Sequence, residues 1–418
     1  MVAEHPRETR HEEIDAIVEA KAGGVSPVRD EADKYTVVGA ADRSTFADWL
    51  TPIEEHFVCH RNDIPDVDET AWTVSLAGQL EGSLTMSALR EEYPTVAVAH
   101  TMECAGNGRG QHEPETGSVQ WGFDAAATAI WTGTPVRSIL RDFGVDDVEG
   151  RWLTAVGGDR SDGDDVFARS IPLEKAFEDA VLAYGMNGEA LPREHGYPVR
   201  LIVPGWYGVN NVKWVEELRV ADGMVVDGAL DRPGDHAVWH QESYRIHPEG
   251  VDPEERETVP TTDTWEQLEG AVDHPYTFDA NVMSVIGAPD GRSAVAPDPD
   301  GRVEIGGVAW AGDDAVERVE VSTDGGGTWD DAELFGPDYA GAWRLFRYDW
   351  VAEPGPGTHT LLSRATDAEG RRQPARISEP DAWRDALEDD AFPWNEGGYA
   401  ANAYEPNGLT VEVLAPEE

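Results

Sequence analysis

Cysteine is almost absent from this chain: Cys59 and Cys104 are the only two among 418 residues. Two thiols exclude a disulfide scaffold and a four-thiolate iron–sulfur cluster, though they leave one bridge open. No Cys-x-x-Cys-His sequence attaches a haem. Lysine is nearly as scarce, with Lys21, Lys34, Lys175 and Lys213 the whole set, so arginine supplies almost all of the 32 basic residues. Those 32 face 82 acidic residues, a formal net charge of -50. Phosphate recognition over a surface needs clustered positive charge, so nucleic acid and anionic lipid are excluded as partners. No run approaches the roughly 18 uninterrupted apolar residues that read as a membrane span.

What is present points to folded domains. A chain of 418 residues is long for one hydrophobic core, which predicts two domains. Forty per cent apolar residues, with 15 Trp and 11 Tyr, set it apart from acidic disordered sequences. Repulsion among so many carboxylates opposes compaction, and salt shortens its range from about 10 Å at 0.1 M to about 3 Å at 1 M. A folded chain this acidic therefore implies a salt-rich, halophilic setting. The amino-terminal MVAEHPRETRHEEIDAIVEA has neither a secretory apolar segment nor paired arginines, so a cytoplasmic protein is expected.

Along the chain, 1–50 reads as an N-terminal extension with short helices at 12–22 and 43–50, the second capped by Ser44. From 51 to 275 helices and short strands alternate, as in an α+β domain. Strands are expected at 72–76, 151–156 and in KWVEELRVAD, and helices from Ser83 or Thr85 and at 134–142. The acidic stretch 231–275 reads as connecting structure. Beyond 276 the period changes to two, clearest at Val316–Val321, and DGGGTW is a hairpin signal. Residues 276–418 thus read as an all-β immunoglobulin-like sandwich.

Two segments carry chemistry. VAVAHTMECAGNGRG runs from a strand into a glycine-rich turn, which puts Cys104 and Arg109 on a loop at a strand end. A cysteine beside glycines suits a structural role. It also suits a soft metal whose other donors come from an organic cofactor, since small residues admit a bulky ligand and Arg109 favours the thiolate. In HGYPVRLIVPGWYGVNNVKW, the cations His195, Arg200 and Lys213 lie among glycine, proline and aromatic residues, an arrangement suited to a phosphate-bearing group. Ordinary salt-bridged surface residues would give the same spacing.

MECAGNGR resembles the cysteine loop of the sulfite oxidase family, and the HGYPVR–NNVKW run resembles that family's pterin-binding segment. ALPREH, MNGEAL and SIPLEKA extend the likeness across 170–214, and weaker similarity runs from about 55 to about 400. The resemblance implies a molybdopterin (Mo-pterin) domain followed by a dimerisation sandwich, hence a homodimer. It implies that Cys104 binds molybdenum and that Asn62, Asp159, His195, Arg200 and Lys213 hold the pterin and its phosphate. Arg61 and Arg109 then line an oxyanion pocket, Trp121 forms its wall and Tyr244 is its tyrosine. The implied reaction is oxygen-atom transfer that turns sulfite, a small oxyanion, into sulfate, with electrons leaving to a separate acceptor.

Departures keep other substrates open. Asp63 stands where the family has histidine, Asn210 where it commonly has arginine, and Gly397 in Trp394-Asn395-Glu396-Gly397-Gly398 where it has an oxyanion arginine. Arg344 is the candidate to fill that gap. A relative directed to sulfane or sulfoxide, a nitrate reductase, and a non-catalytic assembly protein are the remaining readings.

Overall fold

The computed structural model describes residues 21, 25–27, 37–111, 118–160, 166–225, 230, 237, 244, 277–350, 356–376 and 398–415. The expected helix at 12–22 and most of the connecting stretch 231–275 lie outside these residues, as does Gly397.

Three sheets build the first part of the chain. One five-stranded sheet runs in the order Gly82–Thr85, Thr73–Gly78, Val215–Ala221, Trp152–Arg160, Val166–Pro172, with only the Thr73–Gly78/Val215–Ala221 pair parallel. Alternation in Thr73–Gly78 turns Val74 and Leu76 to one side. They meet Leu89, Ile139 and Leu140 from the short helices Met86–Glu91 and Val136–Asp142. Thr85 caps the first helix, its Oγ1 accepting from the Ala88 N–H at 3.1 Å. Each fully buried Leu or Ile here contributes on the order of 1.5–3 kcal/mol.

A second sheet orders Glu189–Ala190, Val181–Met186, Ala126–Pro135 and Val96–Glu103, with Arg200–Ile202 also paired to Val181–Met186. Val96–Glu103 is exposed at its start and buried over its last four residues, so the chain enters the interior as it approaches Cys104. A third sheet, Val25–Pro27, Val37–Ala41 and Val58–His60, packs Val38, Ala40 and Ala41 into a core with Trp121 and Trp131. The described residues before 50 are thus part of the packed structure. Arg43–Ala47 is a 3-10 helix capped by Asp42, whose Oδ1 accepts from the Ser44 N–H at 3.0 Å; the expected cap, Ser44, lies inside it.

The C-terminal part is a sandwich of two four-stranded antiparallel sheets. One orders Met283–Ala288, Val303–Trp310, Arg344–Trp350, Glu333–Phe335; the other Asp330–Asp331, Val316–Ser322, Gly357–Asp367, Leu409–Val413. Ile305 and Phe346 from the first meet Val319, Leu361 and Val411 from the second. The α+β domain followed by an all-β sandwich is therefore the observed architecture. Strict alternation breaks at Glu320, which is buried because Arg364 grips both its oxygens at 2.9 and 3.1 Å.

The two parts share a core. Phe46, Ala105, Tyr207, Trp310, Trp343, Tyr244 and Tyr399 belong to one buried cluster. Thr101 donates its N–H to Gly341 O at 2.8 Å and accepts at Oγ1 from the Trp343 N–H at 2.7 Å. The buried end of Val96–Glu103 is thereby pinned against the sandwich three residues before Cys104.

Candidate active site

The loop after Glu103 is fixed by its own backbone. Cys104 N–H donates to Ala125 O at 2.9 Å, Asn107 N–H to Cys104 O at 2.9 Å, and Arg109 N–H to Gly106 O at 3.0 Å. Asn107 ties both flanks, donating to Glu103 Oε1 at 3.0 Å and accepting from the Ala125 N–H at 3.0 Å. The two glycines answer to geometry. A Cβ on Gly106 would stand 2.2 Å from Arg109 Nη2, and Gly108 takes a φ of +81°. Arg109 therefore folds back beneath its own loop, where Nη1 donates to Val119 O at 2.9 Å.

Cys104 is held on the acidic side for a thiol. A hydrogen bond from the Cys59 thiol, the Arg109 charge, the Gly106 N–H and the Trp121 indole pull it down to about 7 against the effect of burial. Cys59 is pushed up correspondingly, by that bond and by burial. The two cysteines, 45 positions apart in the chain, meet at one place, and both are free thiols. Glu103 next door is fully buried; burial lifts its carboxyl to about 8 although Trp310 Nε1 and Asn107 donate to it.

Above Cys104 opens a pocket of about 840 Å³ of atom-free space, counting its open mouth, lined among others by Arg61, Asp159, His195, Arg200, Lys213 and Tyr244. Arg200 leaves its strand to donate to His195 O at 2.9 Å and Asn211 O at 3.1 Å, and lies over the Trp131 ring at 4.7 Å. Lys213 donates to Cys59 O at 2.9 Å and Glu194 O at 3.2 Å, and meets His60 Nδ1 at 3.1 Å. Neither cation has a carboxylate within salt-bridge distance among the described residues, and Arg200 Nε has no hydrogen-bond partner among them. Burial lowers Arg200 to about 9, and burial with the Arg200 charge lowers Lys213 to about 7. The pocket thus gathers Arg61, Arg200 and Lys213, with Asp159 as a carboxylate in its lining.

Two histidines complete it. Burial, reinforced by neighbouring cations, holds His60 and His195 well below the usual 6.5, so both rings are neutral. Lys21 Nζ lies 3.0 Å from His195 Nε2 and donates to Ile53 O at 2.8 Å, with Glu194 at 3.6 Å. An ammonium only donates. His195 Nε2 thus accepts and its proton sits on Nδ1, while the Lys213 ammonium leaves the His60 proton on Nε2. Such donors, with unpaired cations, fit an anionic, phosphate-bearing cofactor.

Of the residues expected from sequence, Cys104, Arg61, Asp159, His195, Arg200, Lys213 and Tyr244 share the pocket lining. Asn62 and Arg109 are buried outside that lining, and Trp121 is a 1% exposed support beneath Cys104 rather than a pocket wall. Asn210 serves the domain junction: its Nδ2 donates to Thr277 O at 2.8 Å. Arg344 pairs with Asp338 at 2.7 Å on the sandwich and is not among the residues lining the pocket. Sequence reasoning missed Lys21, Cys59, His60 and Tyr399. Rarity was the available signal for the first two, one of four lysines and one of two cysteines.

Among the described residues no group of three or more His, Cys, Asp and Glu is placed to hold a metal ion, and no helix is long and apolar enough to cross a membrane. A metal at Cys104 would take most of its donors from a cofactor. Comparison with known proteins agrees with that chemistry. Residues 61–226 match the oxidoreductase molybdopterin binding domain, and residues 274–382 the Mo-co oxidoreductase dimerisation domain. Sulfite oxidase of Gallus gallus is 30% identical over 345 residues, covering 79% of this chain and 69% of that protein. Nitrate reductase [NADH] 1 of Arabidopsis thaliana is 30% identical over 302 residues, covering 68% of this chain and 31% of that one. The sulfane dehydrogenase SoxCD from Paracoccus pantotrophus superposes with a TM-score of 0.66 at 26% identity, covering 91% of this chain and 87% of its own. This chain spans between 60% and 69% of the length of the sulfite oxidases of mouse and chicken. With both domains matched in series, the chain belongs to the family of molybdopterin-binding oxidoreductases that includes the sulfite oxidases, and it is an enzyme of the Mo-pterin cofactor.

Proposed function

We propose that the protein oxidises a small sulfur compound at a molybdenum–pterin centre ligated by Cys104 and passes the electrons to a separate carrier. The observation that carries this reading is the pair Arg200 and Lys213, buried without a carboxylate partner among the described residues beside Cys104, in a chain of net charge -50. When bound, the molybdenum centre supplies the two-electron redox chemistry, and the protein supplies placement and charge.

Arg200 and Lys213 neutralise the cofactor phosphate, and the N–H groups of His195 and His60 donate to its polar edge. Asp159 and Asn62 contribute acceptors and donors around the pterin. Arg61 at the pocket wall directs hydrogen bonds to the substrate oxygens, and Arg109 adds charge from beneath Cys104. Tyr244 holds one substrate oxygen and relays a proton to or from it.

Sulfite is the first substrate to test, yet the departures favour a sulfur compound with less negative charge or a larger apolar part. Asp63 adds negative charge near Arg61, Asn210 and Arg344 are engaged elsewhere, and the aromatic pair Tyr244–Tyr399 occupies the cluster that the C-terminal segment joins. The likeness to a sulfane dehydrogenase over 91% of this chain supports the same choice. A cytoplasmic, salt-rich setting and a homodimer formed through the sandwich complete the proposal.

The test is a panel assay of molybdenum-loaded protein, with a ferricyanide-type acceptor for sulfite, thiosulfate, a persulfide and a sulfoxide, and with a reduced viologen as electron donor for nitrate. Saturable oxidation of at least one sulfur compound, lost with molybdenum, is the expected outcome. Fully loaded protein that reduces nitrate and oxidises none of the sulfur compounds refutes it.

A further inference from the structure

Tyr399 is buried, with 6% of its surface exposed, and comes from the C-terminal segment of the chain. Its ring stacks on Tyr244, with centroids 4.5 Å apart and planes at 21°. The Arg109 guanidinium carbon lies 5.2 Å from the centre of the same ring. The Tyr399 and Tyr244 hydroxyls are hydrogen-bonded to each other, and Cys104 is near enough to act on the Tyr399 phenol through its charge. Tyr244 in turn lies under Arg169, whose guanidinium carbon is 5.1 Å from the Tyr244 ring centre. The four side chains form a run from Arg169 through Tyr244 and Tyr399 to Arg109.

The backbone around Tyr399 is fastened to the cysteine loop. Ala400 N–H donates to Ala105 O at 2.7 Å, and Ala400 takes a φ of +61° to make that bond. Asn281 Nδ2 donates to Ala400 O at 2.9 Å. Tyr399 thus sits on a rigid mount directly beside Cys104, from a part of the chain almost 300 residues away.

We propose that Tyr399 is a positioning residue of the anion pocket, one ring and one hydroxyl that together fix Arg109 and Tyr244. It rests on the reading of this pocket as the substrate site. Aromatic stacking and a cation over a ring restrain both partners without adding charge. The hydroxyl pair sets the direction of the Tyr244 O–H. With Phe at 399, Tyr244 keeps its stacking but loses that direction. With Leu, Arg109 and Tyr244 both lose their support.

The experiment is calorimetric titration of inorganic sulfate into molybdenum-loaded parent, Y399F, Y399L, Y244F and the Y244F/Y399F double variant. Molybdenum per subunit is expected to match the parent in all of them. The sulfate dissociation constant rises about tenfold in Y399L and about threefold in Y399F. Because the two hydroxyls act as a unit, the double variant binds sulfate no more weakly than the worse of its two single variants. In turnover, KM rises with the dissociation constant while kcat changes less. Unchanged sulfate affinity in Y399L, additive losses in the double variant, or no sulfate binding to the parent overturns the proposal. If Y399L does not fold, Y399F and the double variant decide alone. Parent turnover of the sulfur panel judges the functional reading separately, since the sulfate comparison needs no turnover.

Discussion

Replacing Lys213 by Met should make the cofactor-free protein more stable and, at the same time, unable to keep its cofactor. The Lys213 ammonium falls from the usual 10.5 to about 7 because burial strips its hydration and Arg200 repels it. At about 1.4 kcal/mol per pH unit, holding the charge in the empty pocket costs on the order of 5 kcal/mol at most. Water in the pocket reduces that figure. Met also abandons hydrogen bonds to Cys59 O and Glu194 O, each contributing about 1 kcal/mol. A net gain of about 1–3 kcal/mol near neutral pH is expected. The sign depends on pH. Between about pH 7 and pH 10.5 the unfolded chain keeps a proton that the folded chain has released, so the parent gains stability as pH rises through that window. The advantage of Lys213→Met therefore shrinks with rising pH and vanishes above it. Urea melts of cofactor-free protein at about pH 6, 8 and 10, in constant high salt, read the slope. Molybdenum per subunit after expression with cofactor reads the second half. A Lys213→Met protein that is destabilised equally at every pH, or that carries full molybdenum, refutes the reasoning.

Lowering KCl from about 3 M to about 0.2 M should drop the melting midpoint steeply, because repulsion within a charge of -50 is no longer screened; an unchanged midpoint rejects the halophilic reading. Cys104→Ser should lose molybdenum with its circular dichroism intact, while Cys59→Ser keeps the metal; the reverse pattern would make Cys59 the ligand. Gly397→Arg should lower the sulfite KM about ten- to a hundredfold, a charge-assisted hydrogen bond contributing about 1.5–3 kcal/mol. A KM that stays put while sulfite is turned over efficiently shows that the third oxyanion arginine is not needed.

The parts legible in the sequence are those in which local geometry and local chemistry coincide. Cys104 to Arg109 reads as a site because each small residue has a local cause: Arg109 fills the space above Gly106, and Gly108 turns the chain. The strand and helix expectations at 72–76, 134–142 and 151–156 held for the same reason, since period and caps are local properties. Tyr399 and Lys21 escaped because nothing beside them in the chain marks them. Each acts on a residue from a distant segment, Tyr244 in one case and His195 in the other. Trp121, read in the sequence as a pocket wall, is buried and hydrogen-bonded to the Cys104 sulfur. Glu320 broke the alternation rule because a bidentate arginine can cover a carboxylate that the pattern alone turns outward.

The scarcity of lysine has a physical meaning once its survivors are placed. Elsewhere on the sandwich, positive charge is carried by arginines that fork onto carboxylates, as Arg347 does on Glu333 and Arg364 on Glu320. A planar guanidinium suits that task and is weakly hydrated. Among the described lysines, Lys213 instead donates to carbonyl oxygens and meets a histidine nitrogen, and Lys21 does the same with Glu194 at 3.6 Å, in spaces where a point charge with three rotatable donors fits and a fork does not. Lys175 meets Asp179 and Asp313 across the domain junction beside Trp206. Lys213 also does something arginine does less well: its protonation can respond to what the pocket contains. An ammonium lowered to about 7 in the cofactor-free protein is restored by an incoming phosphate, so cofactor binding draws a proton onto Lys213. Proton exchange measured in weakly buffered solution during cofactor loading should nearly cancel near pH 7, where Cys104 gives up about half a proton on ligation while Lys213 takes up about half, and should approach uptake of a whole proton per subunit near pH 8.5, where the thiolate is already formed. Loading that releases protons or takes up none at the higher pH would mean that Lys213 is already charged in the empty pocket and that the anion is held by other groups.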